Sequence, residues 1–182
     1  MPRPSPTLRR FYAEAALRGI DPDILTARSR SLLAAHPRLV WLAKEGLLHD
    51  GAQSCSGTAA DALSRLSDAT AVELLRAVRR ARALLHRAAA EEPLLSPADG
   101  SHDALLLALA LMEESCDTLR RYPVNGALYA DILAACYFSP APLPDDLLID
   151  RLYVERSTFY SAKREAVVLY GLILSARLGG CF

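Results

Sequence analysis

The most informative part of the chain is residues 143–166, LPDDLLIDRLYVERSTFYSAKREA, near its C-terminal end. A short helix signal begins after Pro144 and ends at Leu152. After a three-residue interval, a second helix signal begins near Arg156 with small, polar and basic residues. Two helices joined by so short a turn form the outline of a helix-turn-helix, whose second helix enters the major groove of DNA. The pattern predicts an all-α helical bundle with a C-terminal helix-turn-helix at residues 143–175.

The second helix of this pattern presents two different sides. One side is apolar at helical spacing and is expected to pack on the preceding helix and turn. The other side carries hydroxyl groups, which allow close approach to a duplex, and Arg164, which can donate a bidentate pair to guanine. Arg156 and Lys163 flank this side and suit phosphate. The candidate DNA-binding residues are Arg156, Ser157, Thr158, Tyr160, Ser161, Lys163 and Arg164.

Charge supports DNA binding only in part. Residues 156–164 hold three basic residues and no acid, whereas the preceding helix carries Asp145, Asp146 and Asp150. The formal net charge of the whole chain is zero. The sequence therefore predicts modest non-specific affinity for double-stranded DNA, or assistance from a homodimer or a protein partner.

The rest of the chain is globular and rich in helix formers. Of its 182 residues, 52% are hydrophobic and 23% are charged, and no segment shows the alternation of a β-strand. Pro37 is expected to end the second helix. A Pro- and Ser-containing break at 93–101 divides an N-terminal helical region, 1–95, for packing or oligomerisation, from a helical unit at 102–180. Helices are predicted at 8–18, 22–35, 39–48, 58–66, 68–90, 102–120 and 127–137.

A lead-in to the C-terminal pattern carries a family resemblance. Residues 119–133 have the form Leu-x-x-x-Pro-x-Asn-Gly-x-Leu-Tyr-x-x-Ile-Leu, and residues 156–166 read Arg-Ser-Thr-Phe-Tyr-x-x-Lys-x-Glu-Ala. Together they resemble the ArpU-type phage and prophage transcriptional regulators, which are similar to the DNA-binding end of sigma factors. The resemblance covers about residues 119–175. It implies an all-helical transcriptional regulator that binds promoter or operator DNA through its last helix, with no enzyme activity and no cofactor.

Two positions depart from the family pattern. Glu155 stands where a Ser or Thr would cap the recognition helix, and Ser161 stands where the family often has a basic residue. Glu155 is a poorer cap and repels phosphate. The alternative is a helical protein-interaction module that keeps the fold and binds RNA polymerase or another regulator instead of DNA.

Other functional classes find little support in the sequence. No motif pairs a nucleophile with a base, so we expect no enzyme. The four cysteines and four histidines lack zinc-ligand spacing, so no metal site is expected. The longest apolar run, 104–112, is too short to span a membrane, and no signal peptide is evident, so a cytoplasmic protein is expected.

Two further features have alternative interpretations. The predicted helix at 68–90 carries a basic set that suits either a solvated face or phosphate contact. It consists of Arg76, Arg79, Arg80, Arg82 and Arg87. Trp41 is expected in the core or in a dimer contact rather than as a ligand platform.

Overall fold

The computed structural model describes residues 4–49, 71–91 and 102–179. Every regular element within these ranges is a helix, so the predicted all-α class is confirmed. The predicted helix at 58–66 and the break at 93–101 lie outside the described residues. The elements are α1 Pro6–Leu17, α2 Pro22–His49, α3 Ala71–Ala89, α4 His102–Arg120, α5 Gly126–Leu133, a π-helix Ala134–Phe138, α6 Asp145–Leu152 and α7 Arg156–Arg177.

The predicted end of the second helix at Pro37 is wrong, because α2 runs through this proline without interruption. A proline inside a helix removes a backbone hydrogen bond and costs about 3 kcal/mol. Buried leucines lie on both sides of Pro37, and burying each contributes roughly 1.5–3 kcal/mol. The five are Leu25, Leu32, Leu33, Leu39 and Leu42. Ending the helix at the proline would take Leu39 and Leu42 out of the core, and burying these two outweighs the lost bond.

Helix α7 is the centre of the bundle. Its residues 165–172 are buried in an unbroken run, and the helix packs against α1, α2, α4 and α5. A helix that is buried on all sides forms part of the core rather than its surface. Gly171 lets α2 approach closely, because a Cβ atom there would collide with Ser29 Oγ and would lie 3.0 Å from Leu25 Cδ1.

The core is continuous across the described helices. Buried side chains from α1 to α7 belong to one hydrophobic cluster. Helices on both sides of the predicted division therefore share a core, while the division into 1–95 and 102–180 stays a prediction. Trp41 does not join this core, since 55% of its surface is exposed on α2. None of the helices in the described ranges is apolar over enough of its length to span a membrane.

The predicted turn at Asn125-Gly126 is confirmed. Asn125 adopts the left-handed conformation with φ 58° and precedes the first residue of α5. A Cβ atom on Gly126 would lie 2.6 Å from the carbonyl oxygen of Leu119, so glycine allows α5 to start against the end of α4. The π-helix that follows ends where the Ser139 N–H donates to the carbonyl of Ala134 over 2.9 Å.

Candidate nucleic-acid interface

The turn between α6 and α7 closes as a Schellman motif. The N–H of Tyr153 donates to the carbonyl of Asp150, and the N–H of Val154 donates to the carbonyl of Ile149, both over 3.3 Å. Tyr153 holds the left-handed position of this motif, with φ 53°. Glycine normally occupies this position, because a residue with a side chain loses about 1–2 kcal/mol of stability there. The side chain of Tyr153 is 95% exposed and gains no packing in return. The predicted boundaries, Leu152 and Arg156, are confirmed.

The start of α7 lacks a side-chain cap. Glu155 occupies the cap position in an extended conformation, and its carboxylate makes no capping hydrogen bond. Its carbonyl still accepts the first helical bond, from the N–H of Phe159 at 2.8 Å. The first-turn N–H groups of α7 are therefore left without the side-chain acceptor that a Ser or Thr would supply.

The outward side of α7 forms a continuous polar surface. Phe159 and Ala162 point into the core, as the helical spacing predicts. Tyr160 is 44% exposed and meets the Phe159 ring edge-on at 5.5 Å between ring centroids. We call the exposed set the α7 face. It consists of Arg156, Ser157, Thr158, Tyr160, Ser161 and Arg164.

Lys163 lies apart from the α7 face. Its Nζ is 2.6 Å from Asp145 Oδ1 at the start of α6, and its side chain is only 22% exposed. The ammonium also lies over the rings of Tyr137 and Phe159, at 5.9 and 5.8 Å from their centroids. Burial alone lowers the pKa of Lys163, but the bond to Asp145 and the neighbouring Cys136 and Tyr137 raise it above its ordinary value. Lys163 therefore ties α7 to α6 instead of pointing towards a phosphate.

Arg156 is also matched to an acid of α6. Its Nη2 lies 2.5 Å from Asp146 Oδ1, but both side chains stay exposed, at 67% and 73%. An exposed pair of this kind contributes about 0–1 kcal/mol, so the guanidinium can exchange its partner at little cost. Arg164 makes no ion pair with any described residue. Two of the three predicted cations are thus balanced by α6, and Arg164 alone is unbalanced.

Helix α6 is attached to the bundle by few contacts. Leu148 is its one buried residue, and a cavity of about 560 Å³ lies between α6, α5 and the π-helix. Asp145, at its first turn, accepts from Lys163 and lies 3.9 Å from the thiol of Cys136. The backbone N–H of Leu143 donates to Ala135 at 3.2 Å. The Lys163–Asp145 pair is therefore a main determinant of where α6 sits beside α7.

Glu165 is buried directly beneath the α7 face, with 6% of its surface exposed. Its carboxylate accepts hydrogen bonds from Tyr129 Oη at 2.5 Å, from Ser161 Oγ at 3.3 Å and from Ser5 Oγ. Ser5 also caps α1, accepting from the N–H of Leu8 at 3.0 Å. Burial and, secondarily, the bond to Glu165 raise the pKa of Tyr129 well above its usual value, so the hydroxyl stays a donor. Glu165 thereby joins α1, α5 and α7.

Sequence reasoning missed this role of Glu165. An isolated acidic residue in a helix is ordinarily solvated. In the sequence, Glu165 and Tyr129 stand out only because they match the family pattern. Helical spacing places Ser161 one turn from Glu165, but Tyr129 and Ser5 carry no signal in a single sequence, because they lie 36 and 160 residues away along the chain.

His36 connects α2 to the π-helix. Its Nδ1–H donates to the carbonyl of Tyr137 over 3.2 Å, and its ring lies against Phe138 at 4.5 Å between centroids. Nε2 has no hydrogen-bond partner among the described residues. Burial lowers the pKa of His36, and the bond to Tyr137 offsets this only in part, so the neutral ring is favoured.

The basic set of α3 divides between two environments. Arg82 is half-buried and its Nη2 reaches the carbonyl of Arg177 over 3.5 Å, at the C-terminal end of α7 where cations are favoured. Arg87 is also half-buried, whereas Arg76, Arg79 and Arg80 are exposed. Arg82 therefore has a structural role. The three exposed arginines lie on α3, which contacts the C-terminal end of α7, whereas the α7 face lies at the N-terminal end.

Metal binding finds no support in the described part of the chain. No group of three or more His, Cys, Asp or Glu side chains there could hold an ion. Of the cysteines, Cys116 is buried and free, and desolvation raises its pKa to about 11. Cys136 is half-buried and free, and the remaining two cysteines lie outside the described residues.

Comparison with known proteins returned no relative: the chain matches no family model, no curated protein and no solved structure. The interpretation of the α7 face therefore depends on its geometry and on the residues that form it.

Proposed function

We propose that the chain is a sequence-specific, non-enzymatic transcriptional regulator that places the first turns of α7 in the major groove of double-stranded DNA. The observation that carries the proposal is the α7 face itself. It presents short hydroxyl side chains and one unpaired guanidinium on a helix that follows a three-residue turn, while Phe159 anchors the opposite side in the core. The resemblance of residues 119–175 to ArpU-type regulators supports the same function.

The chemistry of the α7 face suits base recognition more than strong phosphate binding. Arg164 is free to donate two parallel hydrogen bonds to guanine O6 and N7. Ser157 and Ser161 are short enough for the helix to approach base edges. Tyr160 can reach a base or a phosphate with its hydroxyl, and the uncapped N–H groups of α7 suit a phosphate.

Electrostatics limits the affinity. Lys163 is held by Asp145, and Arg156 must leave Asp146 before it reaches a phosphate. Each bound chain therefore neutralises few phosphates, and we expect log K to fall with log salt with a slope of only about −1 to −2 per chain. A homodimer on a two-fold site would double this slope.

Fluorescence anisotropy with labelled duplexes tests the proposal. Binding to the DNA flanking the gene is compared with binding to random duplex over a series of salt concentrations. Arg164→Ala should weaken the specific complex by roughly 5- to 150-fold and leave non-specific binding nearly unchanged. Arg156→Ala should make the salt slope shallower. Arg79→Ala, an exposed arginine on α3, is the matched control and should change neither.

Substituting Lys163 distinguishes a phosphate contact from a structural role for this residue. The sequence alone predicts that Lys163→Ala makes the salt slope shallower, whereas the structure predicts a less stable protein with an unchanged slope. Thermal unfolding of Lys163→Met beside its DNA titration separates the two. Absence of detectable binding to any duplex at low salt would refute the DNA-binding proposal.

A protein-binding function is the second candidate, and one observation favours it. Leu147 and Tyr153 expose apolar surface on α6 and its turn, at 55% and 95%, on the helix whose acids pair with Arg156 and Lys163. Exposed aromatic and apolar groups are typical of protein contacts. Co-purification with RNA polymerase that is lost in Tyr153→Ser, together with no DNA binding, would establish this function instead.

A further inference from the structure

A second concave site lies far along α7 from the α7 face. It is a cavity of about 500 Å³ between α1, α4 and the C-terminal half of α7. This volume is within the range of small-molecule sites in proteins. Its lining includes the apolar side chains of Phe11, Leu169, Leu172 and Ile173.

The floor of the cavity is built from core side chains. Phe11, Leu169 and Leu172 are buried, and Phe11 meets Tyr122 edge-on at 5.7 Å between ring centroids. Since α7 is the central helix of the bundle, the apolar floor is part of the core rather than a mobile flap. An apolar ligand would therefore find a preformed surface.

The rim of the cavity is positively charged. Three arginines and a single carboxylate, Glu14, line it. Arg18 is held by Glu14 at 2.7 Å and reaches the carbonyl of Leu172 over 3.4 Å. Arg177 is paired with Glu114, which lies outside the lining, and donates to Thr118 over 2.8 Å. Arg10 is exposed and makes no ion pair with any described residue.

We propose that this cavity binds an amphiphilic carboxylate, with the carboxylate at Arg10 and the apolar body along Leu172 and Ile173. The unbalanced guanidinium of Arg10 selects a negative charge, and a bidentate bond between a guanidinium and a carboxylate is the strongest such contact available. The apolar floor selects against small, fully hydrated anions such as acetate. Arg18 and Arg177 are already oriented by their own partners, so ordering Arg10 is the main entropic cost.

Isothermal titration calorimetry of the full chain with decanoate, decan-1-ol and acetate tests the proposal, with decanoate kept below its micelle concentration. Decanoate should bind saturably, at least about tenfold more tightly than decan-1-ol, and acetate should not bind. Arg10→Glu should weaken decanoate binding by about tenfold or more. Arg9→Glu is the matched control, since Arg9 is the exposed neighbour outside the lining and its substitution makes the same charge change.

A second variant locates the ligand without depending on charge. Ala176 lines the cavity and is exposed, so Ala176→Phe should fill the cavity, leave the fold intact and abolish binding. Unchanged affinity in Ala176→Phe would place the ligand elsewhere. Equal binding of decanoate and decan-1-ol, equal effects of the Arg9 and Arg10 variants, or no saturable heat would each overturn the proposal.

Discussion

Replacing Glu165 by leucine should destabilise the protein, although the substitution makes its core more apolar. The carboxylate of Glu165 accepts from three hydroxyl groups, and it holds α1 and α5 against α7. Ser5 and Ser161 lie near the surface, so their hydroxyls can turn to water in the variant. Tyr129 is fully buried, so its hydroxyl cannot turn to water.

The size of the stability loss in Glu165→Leu depends on which of the three hydroxyl groups can reach water. A hydrogen bond to a charged group contributes about 1.5–3 kcal/mol, and a buried hydroxyl left without an acceptor costs about 1–3 kcal/mol. Removing the carboxylate also removes the cost of burying a charge, which offsets part of the loss. The expected net effect of Glu165→Leu is a loss of about 2–4 kcal/mol in the free energy of unfolding. In a protein of this size the melting temperature should fall by roughly 5–15 °C.

A double-mutant cycle with Tyr129→Phe, followed by urea unfolding monitored by circular dichroism, is the appropriate assay. Tyr129→Phe alone should cost about 1.5–3 kcal/mol, because Glu165 loses a donor while still buried. In the Glu165→Leu background the same change should be neutral or stabilising, because it removes the orphaned hydroxyl. The coupling between the two positions should therefore reach about 2 kcal/mol.

Ser161→Ala is the control for the cycle. Its hydroxyl is exposed and its bond to Glu165 is 3.3 Å long, so the change should stay within about 0.5 kcal/mol. Additive effects of the Glu165 and Tyr129 variants, with a coupling below about 0.5 kcal/mol, would show that the two side chains do not depend on each other for stability.

Three further outcomes are expected. The contribution of His36 to stability is complete above pH 6.5 and declines as the pH falls, because burial lowers its pKa and the unfolded chain takes up the proton first. Urea titrations from about pH 7.5 to 5 should show this decline, and His36→Phe should reduce it. Gly171→Ala should cost about 1–3 kcal/mol in urea unfolding despite alanine's better helix propensity, because its methyl group would meet Ser29 and Leu25. Adding Ser29→Ala should recover part of that loss, and full stability of Gly171→Ala alone would contradict the predicted collision. Tyr153→Gly should raise the free energy of unfolding by about 1 kcal/mol, since the tyrosine is exposed and has φ 53°; an unchanged or lower melting temperature would count against strain at this turn.

Much of the fold could be predicted from local sequence. The bounds of α4, α6 and α7 follow from apolar periodicity and from the residues that stop helices. The turn at Asn125-Gly126 follows from the preference of these residue types for left-handed or turn conformations. Pro37 is the instructive exception, because local propensity ends the helix there while burial on both sides continues it.

The candidate interface was predicted less completely. Helical spacing alone places Arg164 and Tyr160 outward and Phe159 inward, and the structure agrees. Spacing cannot tell whether a residue between the two sides, such as Lys163, turns to solvent or to a neighbouring helix. That depends on Asp145 being within reach, and hence on how α6 packs.

Local patterns in the sequence predict that this protein is helical, that a turn at residues 153–155 divides its last two helices, and which side of α7 is polar. These properties arise from interactions between residues a few positions apart, so a single sequence records them. The packing of the helices, which local patterns do not encode, places acids of α6 beside two of the three predicted DNA-binding cations and buries Glu165 among hydroxyl groups. It also forms an arginine-rimmed cavity where α1, α4 and α7 meet. Each of these depends on groups that chain folding brings together from distant positions, and their energies exist only once the helices are packed.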